Sequence, residues 1–73
     1  MLGIDVSKDT LACTLLNAAT RQTLWEGTVP NTPAGVTCLL RRVPQESPWV
    51  LEPTGRYSTS VAQQARAAGR QVL

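Results

Sequence analysis

Leu2-Gly3-Ile4-Asp5-Val6, followed after a short break by Thr10-Leu11-Ala12-Cys13-Thr14-Leu15-Leu16, decides how this chain is read. Ile4 and Val6 are β-branched, which favours extended backbone over helix. Ser7-Lys8-Asp9 between the two runs is polar and short enough for a turn. In the second run Leu11, Cys13 and Leu15 alternate with Ala12, Thr14 and Leu16. Neither set is strongly polar, so the alternation predicts a strand internal to a sheet. Asn17 to Arg21 supplies the next turn, and Gln22 to Val29 a third strand. There Thr23, Trp25, Gly27 and Val29 face one way, and Leu24, Glu26 and Thr28 the other. Glu26 and Gly27 predict an edge strand or a bulge.

The pattern changes at Pro30, which has no N–H for a ladder. Thr32 is a helix cap and Pro33 suits the first helical position. Val36, Leu39, Leu40 and Val43 then fall at the spacing of one apolar helical stripe. Arg41 and Arg42 sit in the last turn, where positive charge meets the negative end of the macrodipole, and Pro44 stops the helix. Trp49-Val50-Leu51 is a short apolar run, predicted to be a strand covered on both faces, and it ends in Glu52-Pro53. A turn at Thr54-Gly55-Arg56 precedes a second helix, from about Tyr57 or Ser58 to Ala68. Its apolar stripe is Tyr57, Val61, Ala65 and Ala68, and Gly69 stops it. Gln71-Val72-Leu73 begins one more strand.

The order is β-β-β-α-β-α-β. Short turns make the first three strands an antiparallel meander. The alternation with helices makes the later connections right-handed parallel crossovers. The expected architecture is an α/β mixed sheet of ribonuclease-H-like arrangement, with the first strand central and the fourth parallel beside it.

Composition narrows the function classes. The 73 residues allow one small domain, with 42% apolar and 16% charged residues, too apolar for a disordered chain. Lys and Arg exceed Asp and Glu by two, so net charge alone does not capture nucleic acid, although a local patch can. There is no His, which removes imidazole bases and imidazole metal ligands. Cys13 and Cys38 lack metal-binding spacing and fit a reducing compartment as small buried residues. No apolar run is long enough to span a membrane, and the N-terminus has no signal-peptide pattern.

Asp5 is anomalous. A carboxylate between Ile4 and Val6 in a central strand is expensive to bury unpaired. Glu52 is the second anomaly, directly after an apolar strand. With the first and fourth strands parallel neighbours, the two approach each other across the sheet. Paired carboxylates repel unless a proton or a cation lies between them. Oxygen-only ligation suits a hard cation, Mg²⁺ or Mn²⁺, and such ions serve phosphodiester chemistry. A structural reading of the same residues stands beside this one. Asp5 can pair with Lys8, and Glu52 with Arg56 or with the backbone N–H groups of the turn. Lys8 and Arg56 are solvated charges by default and phosphate contacts otherwise.

Three motifs go further. Gly3-Ile4-Asp5-Val6-Ser7-Lys8-Asp9, Asn31-Thr32-Pro33-Ala34-Gly35 and Glu52-Pro53-Thr54-Gly55-Arg56-Tyr57 resemble the N-terminal part of one transposase family. This is the bacterial insertion-sequence family with a DEDD-type, RuvC-like catalytic domain, guided by a structured RNA from its own element. The motifs keep the family's order and rough spacing, and the similarity covers essentially the whole chain. The resemblance implies DNA strand cleavage and rejoining by the full protein, with Mg²⁺ or Mn²⁺ as cofactor. It implies DNA and a structured guide RNA as partners, no membrane, and a bacterial cytoplasm. It maps the first acid of the tetrad to Asp5 and the Glu to Glu52, as catalytic metal ligands. Lys8 and Arg56 are the candidate nucleic-acid contacts. The last two acids and the family's nucleophilic serine are expected beyond Leu73. Residues 1–73 are therefore expected to be the N-terminal portion of the catalytic domain, inactive alone.

Two alternatives compete with this. One is a non-catalytic module of the same fold that binds nucleic acid or a partner chain. The other, an actin- or sugar-kinase-like phosphate site, wants a Gly-rich turn that Ser7-Lys8-Asp9 does not supply. Finally, two helical stripes that lie on one face leave the other face bare. That predicts self-association into a homo-oligomer, sheet to sheet or by strand addition at an edge.

Overall fold

In a computed structural model, which describes residues 1–52 and 55–73 (of 55 and 56 the backbone alone), a mixed sheet forms around the first strand. β1 (Leu2–Val6) pairs antiparallel with β2 (Thr10–Leu16), and β2 pairs antiparallel with β3 (Thr23–Pro30). On its other side β1 pairs parallel with β4 (Trp49–Leu51), giving the order β3-β2-β1-β4. The expected β-β-β-α-β run and the parallel β1–β4 neighbourhood are thus present in this α/β chain. Of the last predicted strand, Val72 makes a single parallel bridge to Trp49, with the Gln71 carbonyl accepting from Trp49 N–H at 2.8 Å.

Alternation decides which face is the core. Leu2, Ile4 and Val6 of β1 and Leu11, Cys13 and Leu15 of β2 are all buried on one side. α1 (Pro33–Arg42) adds Val36 and Leu39, with Val43 just beyond its end; α2 (Thr59–Ala67) adds Val61 and Ala65. These residues form one cluster with Trp49 and Val29, so both helices cover the same face. Burial of this kind contributes about 25 cal/mol per Å² of apolar surface. Three expectations are corrected here. β4 is not covered on both faces, since Val50 and Leu51 are half-buried; β2 is internal to the sheet, as expected. Asp5 is exposed, because alternation within β1 turns it away from Ile4 and Val6. α2 begins after a 3-10 turn at Gly55–Ser58, and Ala68 is exposed.

The start of α1 follows its sequence closely. Thr32 is extended, and its hydroxyl accepts from Gly35 N–H at 3.1 Å, satisfying one of the unpaired first-turn donors. Gly35 is needed by close approach: a Cβ there would stand 1.9 Å from the Pro30 carbonyl oxygen. At the other end Arg42 does more than oppose the dipole. Its guanidinium lies 4.8 Å from the Trp25 ring centroid, a cation–π contact joining α1 to β3.

α2 ends in a Schellman motif. Arg70 N–H donates to Ala65 and Gly69 N–H to Arg66, with Gly69 at φ +82°. The motif aims the Arg70 side chain at the end of α1. Its guanidinium donates to the carbonyls of Leu40, Val43 and Pro44 at 2.8–3.0 Å. A buried cation thus caps the negative end of a helix from outside it.

Candidate functional site

The face without helices carries the chemistry. Ile4 is the register partner of Leu51, and Glu52 N–H donates to the Ile4 carbonyl at 3.0 Å. That bond continues the parallel ladder one residue past β4. It makes Glu52 the neighbour of Asp5 on the adjacent strand, with strand axes about 4.8 Å apart. In-register neighbours point to the same face, and both carboxylates are exposed. Among the described residues, no ion pair joins Lys8 to Asp5, so the structural reading of Asp5 as Lys8's partner finds no support.

Asp5 and Glu52 line an open depression of about 560 Å³ with Thr14, Thr28 and Glu26. Glu26 enters from β3, opposite Thr14, and is exposed as well. Sequence reading put Glu26 on the face away from Trp25 but gave it no role, because its place beside the acidic pair follows from the register of three strands. The open face is accordingly small and acidic, and the excess positive charge of the chain lies elsewhere. Arg41, Arg42 and Arg66 are exposed on the helices. Among the described residues, no group of three or more His, Cys, Asp or Glu is arranged to hold a metal ion. Glu26 therefore shares the depression without converging on Asp5 and Glu52.

Of the two nucleic-acid candidates, Lys8 is exposed in the turn after β1. It borders a second depression, of about 260 Å³, together with Asn31, Tyr57, Ser60 and Gln64. The Arg56 side chain lies outside the described residues. Cys13 is no nucleophile: its thiol faces the core, donates to the Leu11 carbonyl at 3.4 Å, and is pushed by burial up to about 11.

Asn31 is a residue whose role the sequence did not reveal. Its side-chain amide donates to the Ser7 carbonyl at 2.9 Å and to the Tyr57 carbonyl at 3.2 Å, and its backbone N–H donates to Asp9. One residue of the second motif therefore ties the first to the third.

The model of the DEDD transposase family of the IS110 type, described as a transposase, matches residues 2–73. The chain belongs to this transposase family. No curated protein matches it. Membership supports a transposase or recombinase function in general terms and implies DNA as the partner. A DEDD transposase family also suggests use of a divalent metal. Among the described residues, no helix is long and apolar enough to cross a membrane.

Proposed function

We propose that residues 1–73 form the N-terminal portion of a ribonuclease-H-like, RuvC-like catalytic domain that cleaves and rejoins DNA strands with a divalent cation. Asp5 and Glu52 are two of its carboxylate ligands. The register that stands Glu52 beside Asp5 on the exposed face carries this reading. The donor set fits a hard cation: oxygen ligands at a solvent-facing position, with no imidazole or thiol on that face. Mg²⁺ or Mn²⁺ bound there would stabilise charge on phosphate oxygens during strand cleavage. The chain's own residues supply the platform. β1, held by an antiparallel ladder on one side and a parallel one on the other, fixes Asp5 opposite Ala12, and the Ile4–Glu52 bond fixes Glu52. Lys8 and Arg56, each a few residues past an acid, are positioned in sequence to meet the DNA backbone. The same reading takes in a structured guide RNA, further acidic ligands from elsewhere in the protein, and self-association.

A titration with Mn²⁺, followed by paramagnetic broadening of amide signals, tests the site. Broadening centred on Asp5, Ala12 and Glu52 and lost in Asp5→Asn is the expected result. Broadening that is uniform over the surface, or that survives Asp5→Asn, overturns it. A second reading is favoured by one observation: among the described residues no third ligand joins the pair. On that reading the chain is a module that binds nucleic acid without cutting it, and DNA binding would persist unchanged in Asp5→Asn without any metal response.

A further inference from the structure

Asn31 stands where all three sequence motifs meet in one set of hydrogen bonds. Its amide group has two N–H donors, and both are used: one on the Ser7 carbonyl at 2.9 Å, one on the Tyr57 carbonyl at 3.2 Å. Ser7 lies two positions after Asp5, and Tyr57 five after Glu52. These are the segments into which β1 and β4 run once their ladder has ended.

The donor itself is anchored. Asn31 N–H bonds to the Asp9 carbonyl at 2.9 Å, and the next residue, Thr32, caps α1. Gln64 of α2 donates to the Pro33 carbonyl at 2.9 Å, which fixes the second helix to the same corner. The corner is thus rigid, and Asn31 projects from it a planar fork that spans the two chain exits.

Beyond Leu51, the parallel ladder holds Glu52 to β1 by a single backbone bond, Glu52 N–H to Ile4. A lone terminal bond of a ladder frays readily. A second tie lies five residues further on, where Asn31 donates to the Tyr57 carbonyl. We infer that Asn31 is a positioning residue that sets the separation of Asp5 and Glu52 without touching either. The requirement explains why this position carries an asparagine. Aspartate has the shape but no donor, serine offers one donor and less reach, and alanine offers none.

The inference rests on the proposed carboxylate site for its function, but its structural part is measurable without metal. Hydrogen exchange at the Glu52 amide, normalised to the Cys13 amide in the sheet centre, reads the local ladder. In Asn31→Ala this ratio rises about tenfold or more, as for a local opening uncoupled from global unfolding. Thr32→Ala, which weakens the same helix start, leaves the ratio near that of the unsubstituted chain. Asn31→Asp keeps the side-chain volume, removes both donors, and gives the same rise should the alanine variant fold poorly. Mn²⁺ affinity falls in step in both Asn31 variants. In Asn31→Asp the added negative charge would by itself favour the cation, so a loss there reports geometry. An unchanged Glu52 ratio in both Asn31 variants overturns the inference, as does an equal rise in Thr32→Ala. A chain that binds no Mn²⁺ defeats the metal reading alone, and the exchange ratio still decides whether Asn31 positions Glu52.

Discussion

Glu52 donates its N–H to the carbonyl of Ile4 at 3.0 Å, one step beyond the last register pair of β1 and β4. The consequence is that Asp5 and Glu52, far apart in sequence, occupy adjacent positions on the exposed face of the sheet.

Asp5→Asn therefore costs little fold stability. The carboxylate is exposed, and among the described residues no cation is paired with it. A change within about 0.5 kcal/mol is expected in urea denaturation, as for surface substitutions, with relief of like charge pulling toward stabilisation. A loss above about 1 kcal/mol would mean that Asp5 is structurally satisfied. On the proposed carboxylate site, the same substitution in a transposase carrying the whole catalytic domain is expected to abolish strand cleavage.

Arg70→Ala is expected to be among the most damaging single changes. Three backbone carbonyls at the end of α1 lose a charged donor, and the side chain is buried. Hydrogen bonds to a charged group are worth about 1.5–3 kcal/mol each and do not add fully. A loss of about 2–4 kcal/mol in chemical denaturation follows, with part of it returned by Arg70→Lys, whose ammonium cannot span all three carbonyls. A variant within about 0.5 kcal/mol of the unsubstituted chain would show that water replaces the cap without penalty.

These two residues also mark what could and could not be read from the sequence. The α1 start was legible because its signals are local: Thr32, Pro33 and the Val36, Leu39, Val43 stripe all act within one helix. The strands were legible from alternation, and the parallel β1–β4 pairing from the order of elements. What was not legible is non-local. Nothing local to Arg70 points to its target, which lies 27 positions away at Val43. Asn31 read only as a motif residue before the helix cap, and its acceptors lie 24 and 26 positions off. The bare face was legible only in part. Two helical stripes on one side leave the Ala12, Thr14, Leu16 set uncovered, but the three carboxylates that share its depression come together only through the register of separate strands. Its small, acidic character leaves less apolar surface to drive sheet-to-sheet association than the alternation implied.

Gly35→Ala tests the close approach of chain at the α1 start. The added methyl would stand 1.9 Å from the Pro30 carbonyl oxygen, and that atom is backbone. Alanine's better helix propensity, about 1 kcal/mol over glycine, is outweighed by the shift that this contact forces. The expected net loss is about 1–3 kcal/mol, as for overpacking. A stabilised variant would mean that Pro30 moves freely.

Arg21→Gly should act in the opposite direction. Arg21 closes the β2–β3 turn at φ 61°, with its N–H on the Asn17 carbonyl at 2.7 Å. The left-handed region costs an L-residue with a side chain about 1 kcal/mol, and glycine enters it freely. Arg21 is exposed, so little packing is lost. A gain of up to about 0.5 kcal/mol is expected after the larger backbone entropy of glycine is offset. A loss would place the side chain of Arg21 in an interaction that matters to the turn.

The two thiols should separate by reactivity and by pH. Cys13 is buried and its pKa is pushed up to about 11 from 9.0 by loss of hydration, whereas Cys38 is exposed on α1. The thiolate is the reacting form, so iodoacetamide at pH 8 should label Cys38 in the folded chain and reach Cys13 only on unfolding. The same shift fixes the sign of a stability change. The folded state keeps the Cys13 proton after the unfolded state has lost it, so folding is favoured fully below about pH 9. Above that, stability falls with a slope of up to about 1.4 kcal/mol per pH unit, until the folded thiol also ionises near pH 11. Denaturant midpoints for the unsubstituted chain and for Cys13→Ala, followed from pH 8 to pH 11, isolate this contribution. The alanine variant begins lower, because it leaves a small void in the core, and then loses less with rising pH. Parallel pH profiles for the two chains would show that the Cys13 thiol ionises in the folded core as readily as in water.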